Sequence, residues 1–267
     1  MKDVILIGDC LNVLKTIDND CIDMGVTSPP YNKCMKSKSK NQIFGPIEYK
    51  DFDDNLPENI YQQQQINVLN ELHRIIKPGG SFFYNHKVRH IKGEIIHPME
   101  WLRKTNWTIR QEIIWNRKAC TEVGGYRFYQ VDERIYWMYK PIKSVIGSKM
   151  LGKHAKMTSV WEFPPDRKNP HPAPFPIVLP LRCILSFMDE EPGIVIDPYS
   201  GSGSTLIASK LLNKNYIGID LTEEYKQMSL ERLQNINRYN DILERELSLH
   251  VVKTTYEERK KKLKDKI

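Results

Sequence analysis

Short apolar runs bounded by turn-forming residues recur along the chain: Val4 to Ile7, Ile22 to Val26, Ser81 to Tyr84, Ile109 to Trp115, Ile135 to Tyr139, Ile194 to Ile196 and Tyr216 to Ile219. Runs this short, continuous rather than alternating, are the pattern of strands buried on both faces. Helical spacing fills Ile60 to Ile76, His97 to Lys104, Pro180 to Met188, Thr205 to Leu212 and Thr222 to Ile236. Lys77-Pro-Gly-Gly80 supplies a stop for the first of these, since proline cannot continue a helix and glycine adopts the conformations that end one. Strands alternating with helices predict an α/β fold with a doubly wound, mostly parallel sheet covered on both faces. Such sheets bind ligands beyond the carboxyl ends of their strands, so the chemistry is expected just after strands.

Two stretches break this rhythm. Cys34 to Asn59 is basic early (Lys36, Lys38, Lys40) and acidic later (Asp51, Asp53, Asp54), which predicts a long mobile loop. Residues 116–169 mix Arg and Lys with Tyr126, Phe128, Tyr129, Tyr136, Trp137 and Tyr139, then carry Lys149, Lys153, His154 and Lys156. That composition suits a nucleic-acid face, with core packing as the alternative for most of the aromatics. From Tyr239 onward the chain reads as a solvated helix or frayed basic end.

Composition narrows the picture only a little. With 267 residues, 40% of them hydrophobic, the chain can bury one substantial core and carry a small appended lobe. A formal net charge of +7 suits a polyanionic partner without proving one. Cys10, Cys21, Cys34, Cys120 and Cys183 are scattered, with no CxxC and no His at zinc spacing, so reduced structural thiols and no metal are expected. The start, MKDVILIGDC, lacks the features of a signal peptide, and no apolar run reaches the ~18 residues of a membrane span; a soluble cytoplasmic protein is the expectation.

Two segments at strand ends carry candidate chemistry. Asp197-Pro-Tyr-Ser-Gly-Ser-Gly-Ser-Thr205 lies between an apolar run and a helix, so glycines occupy a turn where backbone must approach a ligand closely. No Lys-Ser/Thr closes it as in a Walker loop, and Leu206 stands where a dinucleotide fingerprint has its third glycine. Asp220, ending the next strand, offers a carboxylate to both hydroxyls of a ribose, and Leu221 follows it. The turn and the acidic residue together make a nucleoside-cofactor site, with an innocent tight turn as the other reading. Thr27-Ser-Pro-Pro-Tyr-Asn32 also follows an apolar run. Its two prolines stiffen the backbone and remove two N–H donors, leaving carbonyl acceptors of the kind an exocyclic amine needs. Ser28 adds a hydroxyl and Tyr31 a flat ring on which an extruded base could stack. Taken alone, these residues could equally form an ordinary loop.

Together the two segments resemble the catalytic and cofactor motifs of amino-group DNA methyltransferases of restriction–modification type. Their order, catalytic motif first, resembles the permuted β class of that family. Gly8-Asp9-Cys10 is similar to the family's adenine-contacting turn, Lys77-Pro-Gly-Gly-Ser-Phe-Phe83 to a helix end and following strand, and His171-Pro-Ala-Pro-Phe-Pro176 to a segment packing over the methionine end of the cofactor. For Asp9 and His171, capping or turn roles are the alternative. The resemblance covers Val4 to Ile236 and matches nothing in 33–59 or 116–169, where the family's base-flipping loop and recognition region would fall.

The resemblance implies a seven-stranded, Rossmann-like methyltransferase sheet, circularly permuted, with an inserted recognition region. It divides the chain into a catalytic half (1–115, with the mobile loop 33–59), a recognition region (116–169), a cofactor half (170–238) and a basic tail (239–267). It implies S-adenosylmethionine as cofactor and no metal. The catalytic set would be Ser28, Pro29, Pro30 and Tyr31. The cofactor set would be Asp9, Cys10, Thr27, His171, Phe175, Pro176, Asp197, Tyr199, Ser200, Gly201, Ser202, Gly203, Ser204, Thr205, Asp220 and Leu221. Double-stranded DNA is the implied substrate, with a cognate restriction endonuclease and a homodimer left open. Ser at position 28 leans toward N4 of cytosine, with N6 of adenine as the alternative. A nicotinamide-dependent oxidoreductase would use the Gly-rich turn and Asp220 but gives no role to Thr27–Asn32. A related amino methyltransferase acting on RNA or protein would share both motifs.

Overall fold

The computed structural model describes residues 1–32, 54–120, 127–142, 157–166, 169, 174–188 and 192–250. In chain order these form β1 (Val4–Ile7), α1 (Cys10–Leu14), β2 (Ile22–Thr27), α2 (Glu58–Ile75), β3 (Ile76–His86), β4 (Arg89–Ile91), β5 (Glu94–Ile96), α3 (Met99–Leu102), β6 (Thr108–Asn116), β7 (Asp132–Tyr139) and β8 (Val160–Glu162). There follow α4 (Val178–Phe187), β9 (Ile194–Asp197), α5 (Ser204–Leu211), β10 (Asn215–Asp220), α6 (Glu223–Gln234) and α7 (Asn240–His250).

All seven apolar runs enter one sheet, ordered β1-β10-β9-β2-β3-β7-β6-β8. It is parallel from β1 through β3; β7 then runs antiparallel to both β3 and β6. An eighth strand, the three-residue β8, extends the edge beside β6 and was invisible to a periodicity argument because it is so short. β4 and β5 form a separate hairpin.

The faces of the sheet bury two clusters. On one, Leu14 of α1, Tyr61, Leu69 and Leu72 of α2 and Trp101 of α3 pack on Phe82 and Tyr84. On the other, Leu181 and Ile184 of α4 and Ile207 of α5 pack on Val26, Phe83 and Val195. Gly25 in β2 is required by the first packing, since a Cβ there would lie 2.5 Å from the Phe82 ring.

Several expectations are corrected. The helix stop is not Lys77-Pro-Gly-Gly80: α2 passes straight into β3 at Ile76, whose backbone is already extended. Pro78 to Gly80 instead make an irregular start to β3, where pairing with β2 jumps from Ile22–Ile76 to Met24–Ser81 and Gly79 takes φ +85°. The segment after Tyr239 is not simply solvated. α7 docks with Ile242 and Leu243 against the second cluster, and its buried Glu246 accepts from Arg182 Nε at 2.8 Å. Of the aromatics in 116–169, Tyr136, Trp137 and Tyr139 are core residues of β7, whereas Phe128 and Tyr129 are 99% and 58% exposed. Tyr126 and the four basic residues 149–156 lie outside the described residues, as do 33–53 and 251–267.

Candidate active site

β2 and β9 are neighbours in the sheet, so their carboxyl ends bring the two motifs together. Asp197 is the knot. Fully buried, it accepts from Thr27 Oγ1 on Oδ1 and from Thr205 Oγ1 on Oδ2, both at 2.6 Å, and from the Tyr199 N–H at 3.1 Å. Burial pushes its carboxyl up to about 6, although those donors favour the charged form. The end of the catalytic strand, the end of the cofactor strand and the first turn of α5 are thus tied by one side chain. Asp197 serves here through its neighbours, not as an open carboxylate.

The glycine turn beyond it is braced from behind. Gly201 and Gly203 have φ of +48° and +78°, and a Cβ on Gly203 would lie 2.8 Å from Ser229 Oγ. Ser229 Oγ donates to the Gly201 carbonyl at 2.8 Å, and Arg232 NH1 reaches both the carbonyl and the hydroxyl of Ser202. Ser200 donates to the Ile219 carbonyl through N and Oγ. Asp220, its carboxyl raised by burial, accepts from the Gly201 N–H at 2.7 Å. Exposed Leu221 follows it, and exposed Ile7 pairs with it in the sheet. Ser204 Oγ, at the first turn of α5, is buried without a hydrogen-bond partner among the described residues. A polar atom left open at a glycine turn, with apolar rims at Ile7 and Leu221, fits a nucleoside carrying an amino-acid end.

The remaining cofactor candidates lie at the edges. Asp9 caps α1 by accepting from the Asn12 N–H at 3.0 Å. Cys10 is buried, its thiol pushed up to about 12 by burial, and it neighbours the Tyr199 hydroxyl. Phe175 is part of the second cluster, and the Pro176 carbonyl accepts from the Leu179 N–H at the start of α4. His171 lies outside the described residues.

At the end of β2 the catalytic candidates form a connected network. Ser28 Oγ lies 2.8 Å from the Tyr31 hydroxyl, which in turn donates to Glu133 Oε2 at 2.8 Å. Asn85 Nδ2 donates to Tyr31 Oη at 2.7 Å, Glu133 Oε2 at 3.0 Å and Ser28 Oγ at 3.2 Å, and Arg117 pairs with Glu133 Oε1. Burial, and then the Glu133 charge, push the Tyr31 phenol well above its usual range, so it stays neutral. Tyr31 is itself buried with His86 against one face, ring centroids 4.5 Å apart, so at most its other face can meet a base. The Pro30 carbonyl already accepts from Tyr61 Oη at 2.9 Å, whereas no described group donates to that of Pro29.

Asn32, quoted in the motif without a role, has one. At φ +53° its side chain brackets Leu56, donating to the carbonyl at 3.0 Å and accepting from the N–H at 2.7 Å, while its own N–H donates to Asp54. Arg89 holds the Asn32 carbonyl and grips Glu58 through two nitrogens, so that the Glu58 carboxyl sits below its usual range despite partial burial. Sequence reasoning missed Glu133, Asn85, Arg117, Ser229 and Arg232. The one available signal was the charged triplet Asp132-Glu133-Arg134 opening an otherwise apolar strand.

A family model described as DNA methylase, of the N6/N4 type, matches residues 22–231. The chain belongs to that family. It is a DNA methyltransferase of the amino-group, restriction–modification kind, and DNA is its substrate. Within the DNA methylases it is 28% identical over 262 residues to the type II methyltransferase M.HinfI of Haemophilus influenzae, covering 89% of this chain and 70% of that one. Its fold is similar to that of the solved PvuII DNA methyltransferase, titled cytosine-N4-specific (TM-score 0.65, 17% identical, 90% of this chain and 92% of that one). It is likewise similar to a complex titled M1.HpyAVI–SAM (TM-score 0.59, 20% identical, 86% and 98%). Among the described residues no helix is long and apolar enough to cross a membrane.

Proposed function

We propose that this DNA methylase moves a methyl group from S-adenosylmethionine to N4 of a cytosine turned out of the duplex. The observation that carries the proposal is the Asp197 knot, which bonds Thr27, the residue before Ser28, and Thr205, the residue that closes the glycine turn, to one carboxylate. Bound S-adenosylmethionine supplies a methyl group made electrophilic by a positively charged sulfur. Asp220 would hold its ribose, residues Ser200 to Thr205 its amino-acid end, and Ile7 and Leu221 the edges of its adenine; the similar M1.HpyAVI has been solved as a complex with that cofactor.

The Ser28 hydroxyl oxygen and the Pro29 carbonyl, to which no described group donates, accept from the target amine, which draws its lone pair out of ring conjugation and aims it at the methyl. An amine stacked inside a duplex could not reach them. In this reading target recognition falls to the parts of 116–169 outside β7 and β8, which belong to the sheet. The enzyme works on double-stranded DNA in the cytoplasm, with a restriction endonuclease and a second copy of the chain as the partners the reading admits.

The test is to incubate the protein with methyl-labelled cofactor and unmethylated DNA, digest to nucleosides and identify the labelled one by mass spectrometry. N4-methylcytosine is expected; N6-methyladenine would overturn the base assignment, and unlabelled DNA the whole reading. Ser28→Ala should lower turnover with cofactor affinity retained, and Asp197→Ala should lower cofactor affinity. Equal effects of both changes on cofactor binding would sink the division of roles.

A further inference from the structure

The bonds from Tyr31 to Ser28, Asn85 and Glu133 fit together in one arrangement of hydrogens when the Glu133 carboxylate is ionised. An ionised carboxylate can only accept, so the hydrogen between Tyr31 Oη and Glu133 Oε2, 2.8 Å apart, belongs to the phenol. Tyr31 has no second hydrogen. Toward Ser28, again at 2.8 Å, its oxygen must therefore accept, and the Ser28 hydrogen points at Tyr31. The amide of Asn85 is fixed by the same rule: its nitrogen lies 3.0 Å from Glu133 Oε2, where an oxygen would be repelled, so it donates to Ser28 and Tyr31 as well. The hydroxyl hydrogens thus run from Ser28 to Tyr31 and from Tyr31 to Glu133, with Asn85 donating to all three oxygens. Ser28 consequently presents oxygen lone-pair density, not a hydrogen, to whatever lies before it.

We infer that Ser28, Tyr31 and Glu133 form a proton relay, with Glu133 on β7 as the terminal acceptor for the proton that the methylated amine must lose. The inference rests on the amino-methylation reading above. As nitrogen bonds to the methyl group it gains positive charge and has one hydrogen too many, and that proton begins to leave in the same transition state. That hydrogen passes to Ser28 Oγ as Ser28 gives its own to Tyr31 Oη and Tyr31 gives its own to Glu133 Oε2. One N–H bond breaks, one O–H bond forms on Glu133, and the O–H bonds of Ser28 and Tyr31 are replaced. The positive charge on nitrogen and the negative charge on the carboxylate cancel, and Glu133 returns the proton to solvent after the product leaves.

Serine alone is a poor base, but the methylated exocyclic nitrogen, an ammonium carried on an aromatic ring, is acidic enough for a carboxylate to take its proton. The Glu133 carboxylate is faced by Tyr31, from the segment after β2, and by Arg117, from the segment after β6. β3 contributes the neutral Asn85, with His86 behind the Tyr31 ring. Arg117 holds the other carboxylate oxygen, which keeps Oε2 turned to Tyr31. Glu133 touches no substrate; it acts through two side chains.

The experiment is single-turnover methyl transfer to DNA by the wild type, Glu133→Gln, Tyr31→Phe and the double variant, across pH. Melting shifts with S-adenosylhomocysteine report folding and cofactor binding separately. In the wild type the transfer rate should fall at low pH as the carboxylate takes up a proton. Each single variant should lose roughly a hundredfold in rate, Glu133→Gln should lose the acid limb, and both should keep the cofactor-induced melting shift. The double variant should be no slower than the slower single one, because either change breaks the same path. Wild-type rates and an intact acid limb in Glu133→Gln would overturn the relay while leaving amino methylation standing. So would additive losses in the double variant. A wild type that puts no label into DNA removes both.

Discussion

At the scale of single residues, Asp197 carries a tension, a carboxylate with no exposure held at about 6 where it would ordinarily sit near 3.8. Because the folded state binds that proton more tightly, this group makes folding less favourable as pH rises from about 4 to about 6, by on the order of 3 kcal/mol in all. Asparagine in its place can still bond both threonine hydroxyls, which rotate to donate or accept, and cannot ionise. Melting of Asp197→Asn and the wild type between pH 4 and pH 7 should therefore show the difference moving in favour of the variant as pH rises, with no further change above the window. The motif itself was legible, because glycines and a strand-terminal aspartate are local features. That Asp197 spends its oxygens on Thr27 and Thr205 was not legible, since the first partner is 170 residues away and no spacing rule connects them. Tyr31 teaches the same lesson: a tyrosine after two prolines suggests an open stacking face, but Glu133 and His86 occupy its hydroxyl and one of its faces.

At the scale of elements, seven strands were readable from apolar runs: β2, β3, β7, β9 and β10 are buried along most of their length and need no alternation, whereas β1, at the sheet edge, and β6 are partly exposed and stand out through their isoleucines. The short pieces, α1, β8 and the β4–β5 hairpin, escaped because a few residues give no period. α6 was readable as a helix but not as a brace, for Ser229 and Arg232 look like ordinary polar positions until they are seen against the glycine turn. Arg232→Met keeps the bulk and removes the bonds to Ser202. It should cost roughly 1–3 kcal/mol of stability and weaken S-adenosylmethionine binding more than it lowers turnover at saturating cofactor. Calorimetric binding alongside steady-state rates separates the two. Unchanged affinity in a folded variant would mean that the turn keeps its shape without α6.

At the scale of the whole molecule, the catalytic edge of the sheet meets the connection that leads into β7. Glu133 sits in the Ser28 network, and Phe128 and Tyr129 stand exposed five and four residues earlier, within ~17 Å of chain. Large exposed aromatics on a chain of net charge +7 fit a surface that meets DNA. Phe128→Ala with Tyr129→Ala should leave the melting temperature within a degree or two and weaken DNA binding at least several-fold, measured by fluorescence anisotropy at fixed salt. Unaltered affinity would place the DNA elsewhere. The bracket built by Asn32 has a different consequence. The chain departs for residues 33–53 and returns at Asp54 and Leu56 within hydrogen-bonding distance of its departure point. The residue after Tyr31 and the approach to α2 are therefore fastened to each other directly, so a change at the start of that helix is felt at the end of the Thr27–Asn32 segment as a shift of position, with no other element needed to pass it on.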